Sequence, residues 1–227
     1  MASQKKIITI DGPAGAGKST MAQALAQTLN WTYLDTGAMY RAVALAAEKN
    51  GRDITDEHGL SEVLADLDLT VKPGPRTTRI FLHGQEVTAE IREPRISALA
   101  SAVSALAIVR RAMVDLQRKI GKASRLVAEG RDMGTVVFPQ AGVKFFLNAS
   151  PQERARRRYK ELLLNGAIAN LEQVEKEMIE RDEADSSRAL SPLRPAKDAI
   201  IIDSTNLGID EIKNQMIQII HQKWKSP

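Results

Sequence analysis

Apolar and polar positions along this chain follow two periods. Short aliphatic or β-branched runs at 6–11 (Lys-Ile-Ile-Thr-Ile-Asp), 32–34, 125–128, 143–147 and 199–203 have the length and makeup of buried strands. Between them apolar residues recur every three or four positions: Met21, Ala24, Leu25 and Leu29, then Leu99, Val103, Leu106, Val109, Met113 and Leu116 within 97–120, and finally Ile209, Ile212, Met216, Ile219 and Ile220. That spacing predicts amphipathic helices, and strands alternating with helices predict a parallel α/β sheet. Residues 50–95 depart from this plan. Gly51, Gly59, Pro73, Gly74, Pro75, Gly84 and Pro94 punctuate short alternating segments, of which 67–71 and 79–83 read as strands joined by a turn, a small β-rich insertion. No internal repeat or low-complexity tract interrupts the rest.

Between the first strand and the first helix lies Gly12-Pro13-Ala14-Gly15-Ala16-Gly17-Lys18-Ser19, followed by Thr20. The glycines let the backbone curl so that successive N–H groups point at one centre, and the helix that begins near Lys18 adds its positive end. This is a phosphate-binding loop for a nucleoside triphosphate. Lys18 would reach the β- and γ-phosphates, and the Ser19 hydroxyl would hold a magnesium ion. The loop alone leaves open whether the γ-phosphate goes to water or to a second substrate.

Other charged groups gather at the carboxyl ends of predicted strands, where ligands sit in a parallel sheet. Asp35-Thr36-Gly37 leads into Tyr40-Arg41, with Thr36 expected to cap the helix that follows. Glu129-Gly130-Arg131-Asp132-Met133-Gly134 follows the strand at 125–128. Arg154, Arg157 and Arg158 fall on one helical face, as do Arg181, Asp185 and Arg188 if their helix continues.

Composition narrows the class. A chain of 227 residues with 43% hydrophobic and 26% charged residues suits one α/β core, 1–227, and contains no apolar run of the roughly 20 residues that cross a membrane. The absence of cysteine removes disulfides and thiolate metal sites, and with no charged-then-apolar leader it points to the cytoplasm. A net charge of +4 could suit nucleic acid, but aromatic residues for base stacking amount to 4% and the arginines cluster, so small polyanions are the expected partners. A guanine-reading Asn/Thr-Lys-x-Asp segment is missing too, since 148–151 lacks both the lysine and the acid.

Taken together, the loop 12–19, Asp35-Thr36-Gly37 with Tyr40-Arg41, Gly130-Arg131-Asp132-Met133-Gly134, Arg154 to Arg158, and Arg181 with Asp185 and Arg188 make the chain similar to the bacterial cytidylate kinases, a family of nucleoside monophosphate kinases. Composition and spacing alone stop at a P-loop phosphotransferase. The resemblance implies a P-loop NTPase core on a five-stranded parallel sheet, a monophosphate-binding part with the β-rich insertion at 37–96, and a mobile lid at 152–168. It implies transfer of the ATP γ-phosphate to CMP or dCMP with magnesium, by a monomer. Gly12, Pro13, Ala14, Gly15, Ala16, Gly17, Lys18, Ser19 and Thr20 would bind ATP, and Ser19 the metal. Thr36, Arg41 and Arg131 would meet the acceptor near its phosphate; Ser101, Arg110 and Asp132 the cytosine; Arg181 and Asp185 the sugar; Arg188 the phosphates. Lys18, Arg131, Arg157, Arg158 and Arg188 would act in catalysis. Two positions depart from the pattern: Ala14 where some relatives have serine, and Glu129 where aspartate is common.

The shared cytosine contact carries a structural demand. Ser101 and Arg110 are nine residues apart, which on an unbroken α-helix sets them on opposite faces and about 13 Å apart along the axis. An interruption of the helix within 104–108 is therefore expected, despite good helix formers there.

Overall fold

Ile7–Asp11 (β1), buried at every position, runs up the middle of the main sheet. The computed structural model describes residues 6–164 and 166–225. After β1 come α1 (Lys18–Leu29), β2 (Thr32–Asp35), α2 (Thr36–Lys49), α3 (Glu57–Ala65), β3 (Leu69–Pro73), β4 (Thr78–Leu82), β5 (Gln85–Glu86), α4 (Pro94–Val103) and α5 (Ala107–Ala123). The second half carries β6 (Leu126–Gly130), β7 (Val143–Asn148), α6 (Pro151–Leu164), α7 (Leu171–Ser187), β8 (Ile200–Asp203) and α8 (Ile209–Lys225). The main sheet has the order β2-β6-β1-β7-β8, parallel throughout.

The alternation of side chains along each strand divides the core in two. Ile7, Leu34, Leu126 and Ala128 pack against α2, α4 and α5 on one face. Ile8, Ile10, Tyr33, Val127 and Phe145 meet α1 and the Ile212, Met216 and Ile220 stripe of α8 on the other. Each fully buried aliphatic side chain contributes about 1.5–3 kcal/mol relative to an exposed one, so the sandwich rests on both faces being covered. Among the described residues no single helix is long and apolar enough to cross a membrane.

The five expected strands all form, with ends shifted by a residue or two. The antiparallel sheet β3-β4-β5 is the insertion, and it docks on β2: the buried Thr78 hydroxyl donates to the Tyr33 carbonyl (2.8 Å) and accepts from the Asp35 amide (3.0 Å). Residues 50–95 also hold a helix that the glycine pattern concealed, α3, capped by Asp56 at the His58 amide. The stretch 97–120 is broken as expected. α4 ends at Val103, α5 starts at Ala107, and the two axes differ by 100°. Polar side chains take up backbone carbonyls at the bend: Ser104 Oγ donates to the Ser101 carbonyl (2.8 Å) and Arg110 Nη1 to the Ser104 carbonyl (3.1 Å).

Candidate active site

Where β1 gives way to α1, the chain turns too sharply for side chains. At Gly12, with φ +148°, an added Cβ would lie 2.0 Å from the Leu147 carbonyl oxygen, and Gly17, with φ +90°, is the left-handed cap of α1. The buried Asp11 carboxylate accepts from the amides of Met133 (2.8 Å) and Gly134 (2.7 Å), which ties the segment after β6 to the root of the loop. Burial, opposed by those two amides, pushes the Asp11 carboxyl up to about 7. Lys18 is only 6% exposed, and its Nζ donates to the Pro13 carbonyl at 2.6 Å.

Burial, then the charge of Arg131, pull the Lys18 ammonium down to about 7. Phosphate oxygens would reverse that shift by restoring a partner for the cation. At pH 8, where the empty-site lysine is mostly neutral, ATP binding is expected to take up about one proton, and little at pH 6, where it is already charged. Titration calorimetry in buffers of different ionisation enthalpy reads this directly; equal uptake at both pH values would contradict it.

Arginines converge beside the loop from α2, the end of β6, and α7. Arg131 Nε, after β6, donates to Asp185 Oδ2 at 2.8 Å, and Arg188 Nη1, just past the end of α7, lies 3.5 Å from Asp185 Oδ1. Burial works against the Asp185 charge, but the field and hydrogen bond of Arg131 outweigh it and hold the carboxyl below its ordinary range. Arg181, one turn before Asp185, is pulled down to about 10 by burial and then by Arg131. Arg41 pairs with Asp35 at 3.0 Å. Among the described residues, the buried Nε atoms of Arg41 and Arg181 and Nη2 of Arg188 have no hydrogen-bond partner. Buried cationic donors in excess of carboxylates make a site for an anion.

A second polar group lies under the bend between α4 and α5. Arg110 and Asp132, 5% and 2% exposed, form a direct ion pair, and the guanidinium stands 5.7 Å from the Tyr40 ring centroid. Through the Ser104 carbonyl the Arg110 head group is held one helical turn from Ser101, which a continuous helix would forbid. The structure thus brings together Lys18, Arg131, Asp185 and Arg188 on one side and Arg110 and Asp132 on the other, with Ser101 linked to Arg110 through Ser104.

Three expectations need correction. The cap of α2 is Asp35, which accepts from the Ala38 amide at 2.8 Å; the Thr36 hydroxyl instead donates to the Glu129 carbonyl at 2.6 Å. Arg188 leaves the helix, because its extended backbone (φ −62°, ψ 140°) ends α7 at Ser187. Arg154 shares no free basic face with Arg157 and Arg158. It is buried, donates to the carbonyls of Ala149 (3.0 Å) and Ala14 (3.1 Å), and forms an ion pair with Asp182, whose Oδ1 accepts from the Ala14 amide at 3.2 Å. Arg157 is engaged by Ser204, donating to its hydroxyl (2.9 Å) and carbonyl (2.6 Å), while Arg158 pairs with Glu161 at 2.8 Å. Asp182 and Ser204 were missed because their partners lie 28 and 47 residues away, beyond any local spacing signal.

The residues present suit a magnesium ion held jointly with nucleotide phosphates. Ser19 supplies a hydroxyl, and the buried Glu129 carboxylate lies close enough for that hydroxyl to favour its charge. One or two carboxylates plus phosphate oxygens is the ordinary donor set for this ion.

The cytidylate kinase family model matches residues 8–222. A cytidylate kinase of Carboxydothermus hydrogenoformans is 50% identical over 216 residues, covering 95% of this chain and 97% of its own. Another, from Nitrosococcus oceani, is 50% identical over 219 residues, with 96% of each chain covered. Among solved structures, an uncharacterized protein from Eubacterium ventriosum aligns with a TM-score of 0.51 at 13% identity, over 96% of this chain and 99% of that one, a likeness of fold alone.

Proposed function

Because the chain belongs to the cytidylate kinase family, we propose that this cleft transfers the γ-phosphate of ATP to CMP or dCMP, giving ADP and CDP or dCDP, within pyrimidine nucleotide metabolism. The observation that carries the reading is the group of partly buried arginines around Asp185, with buried donor atoms short of hydrogen-bond partners and close enough to Lys18 for Arg131 and Arg181 to perturb it. An oxygen of the acceptor phosphate attacks the γ-phosphorus, and the bond to the β–γ bridging oxygen breaks, releasing ADP. The acceptor oxygen is already anionic, so no strong general base is needed, and the enzyme's task is positioning and charge neutralisation. Lys18 and the loop amides of 12–20 would hold the ATP phosphates. Arg41, Arg131 and Arg188 would hold the acceptor phosphate, Arg181 and Asp185 its sugar, and Arg110, Asp132 and Ser101 its base, with Thr36 anchoring the strand end through Glu129. Magnesium, when bound at Ser19, supplies further neutralisation of the phosphate oxygens.

The same reading makes 1–227 one kinase domain, with 37–96 as the monophosphate-binding part and 152–168 as a lid that excludes water on closing. It also makes the protein a cytoplasmic monomer without a nucleic-acid partner, in keeping with the shortage of aromatic residues and the lack of cysteine. Equal formation of CDP and ADP from CMP and ATP, read by anion-exchange chromatography, tests the reading; ADP without CDP would mean hydrolysis and contradict it.

The lid arginines separate by experiment. Arg157→Ala with Arg158→Ala removes partly exposed charges, so the unfolding temperature is expected to hold within a few degrees while kcat falls at least about tenfold. Arg154→Met leaves the partly buried Asp182 without its cation and is expected to cost about 3 kcal/mol of stability. Thermal unfolding beside steady-state turnover distinguishes the two; an active Arg157/Arg158 double variant would remove both residues from catalysis.

A further inference from the structure

Glu129, one residue before the end of β6, lies on the α1 face of the sheet, in register with Ile10 on β1 and Asp35 on β2. Burial, followed by the charge of Asp35, disfavours its ionised form, whereas Lys18, the Ser19 hydroxyl and the Tyr33 phenol favour it. The Tyr33 phenol donates to Glu129 Oε1 at 2.5 Å. Tyr33 lies opposite Val127, two positions before Glu129 in the ladder, and a long side chain is needed to span that diagonal. Its ring is 1% exposed and packed in the core of Ile8, Ile10, Leu25 and Val127, so the hydroxyl has little freedom. Glutamate brings three rotatable side-chain bonds to this position. A rigid donor fixes them.

We propose that Tyr33 is a positioning residue: its phenol holds the Glu129 carboxylate facing the Ser19 hydroxyl, and so sets the metal side of the phosphate-binding loop. The inference rests on the kinase reading for its chemistry. In the competing view the phenol only satisfies a buried acid, and its loss lowers stability and nothing else. Groups of this kind, one step behind a metal ligand, typically alter metal affinity or activity by about 10–100-fold when removed.

Tyr33→Phe removes the hydroxyl and keeps the ring. Manganese, a paramagnetic substitute for magnesium, is titrated into the protein–ATP complex without acceptor and followed by electron paramagnetic resonance, beside kcat, the KM for CMP and thermal unfolding. The expected result is manganese binding about tenfold weaker and kcat about tenfold lower, with the KM for CMP unchanged. Manganese affinity and kcat within about twofold of the parent, with a lower unfolding temperature, would overturn the proposal. Should Tyr33→Phe fail to fold, Glu129→Gln, which keeps an acceptor for the phenol, is expected to show the same manganese loss, and unchanged affinity there overturns it. Where both variants fold, the double variant should lose no more than either single one; losses that multiply mean that Tyr33 acts independently of Glu129. A parent protein that binds manganese–ATP but makes no CDP contradicts the proposed function while leaving the comparison of binding intact.

Discussion

Replacing Lys18 with alanine is expected to lower CMP-dependent ADP formation by about 10²–10³-fold or more while leaving the fold intact. The ammonium is buried and bonded to the Pro13 carbonyl, and in the empty protein burial and the nearby arginines oppose its charge. Its folded pKa of about 7 lies below the 10.5 of an ordinary lysine, so between these values the unfolded chain holds more protons. In that window Lys18 weakens the fold, and its penalty fades as pH rises from 7 towards 10.5. Removing it should therefore not cost stability at neutral pH, and should flatten the stability curve above pH 7. The transition state reverses the sign, because oxygens gaining charge lie where the cation waits. Turnover and thermal unfolding across pH 7–10 check both halves. Activity within about tenfold of the parent would remove Lys18 from phosphoryl transfer.

The second large effect belongs to Arg110 and Asp132. They form a buried ion pair, so either single replacement strands a charge and is expected to cost about 3–5 kcal/mol of stability. Replacing both, as Arg110→Met with Asp132→Leu, should recover most of that loss, because apolar residues of similar size can substitute for such a pair. The function of the pair should not recover. Cytosine presents two acceptors, O2 and N3, beside an amino donor, whereas uracil keeps O2 but turns N3 into a donor and position 4 into an acceptor, so a guanidinium and a carboxylate placed for cytosine are mismatched with UMP at about 1–3 kcal/mol for each unsatisfied group. The double variant is expected to fold and to lose at least about tenfold of the parent's preference for CMP over UMP in kcat/KM. An unchanged preference would mean that the base is read elsewhere.

Local signals foretold much of this architecture. The phosphate-binding loop is legible because its requirements, positive φ and a converging cradle of amides, are met by residues adjacent in the chain. The buried strands are legible because a parallel sheet covered on both faces demands continuous apolar runs. The break between α4 and α5 was foretold against local propensity, from the need to bring Ser101 near Arg110, and the bend has that effect. Groups whose partners are remote in sequence stayed hidden. Arg154 read as one of three arginines on a single helical face, with no sign of Asp182 across α6 and α7, and Asp35 rather than Thr36 caps α2 while its carboxylate also meets Arg41. Tyr33 read as one more core residue of β2, since nothing near it in the chain announces the acid that its hydroxyl meets.

The central claim is that the cleft reads cytosine while transferring the ATP γ-phosphate. It is tested most directly by kcat/KM for CMP, dCMP, UMP and AMP, measured through ADP formation with ATP and magnesium in excess. CMP and dCMP are expected to exceed UMP and AMP by at least about tenfold. UMP or AMP turned over as well as CMP would contradict it.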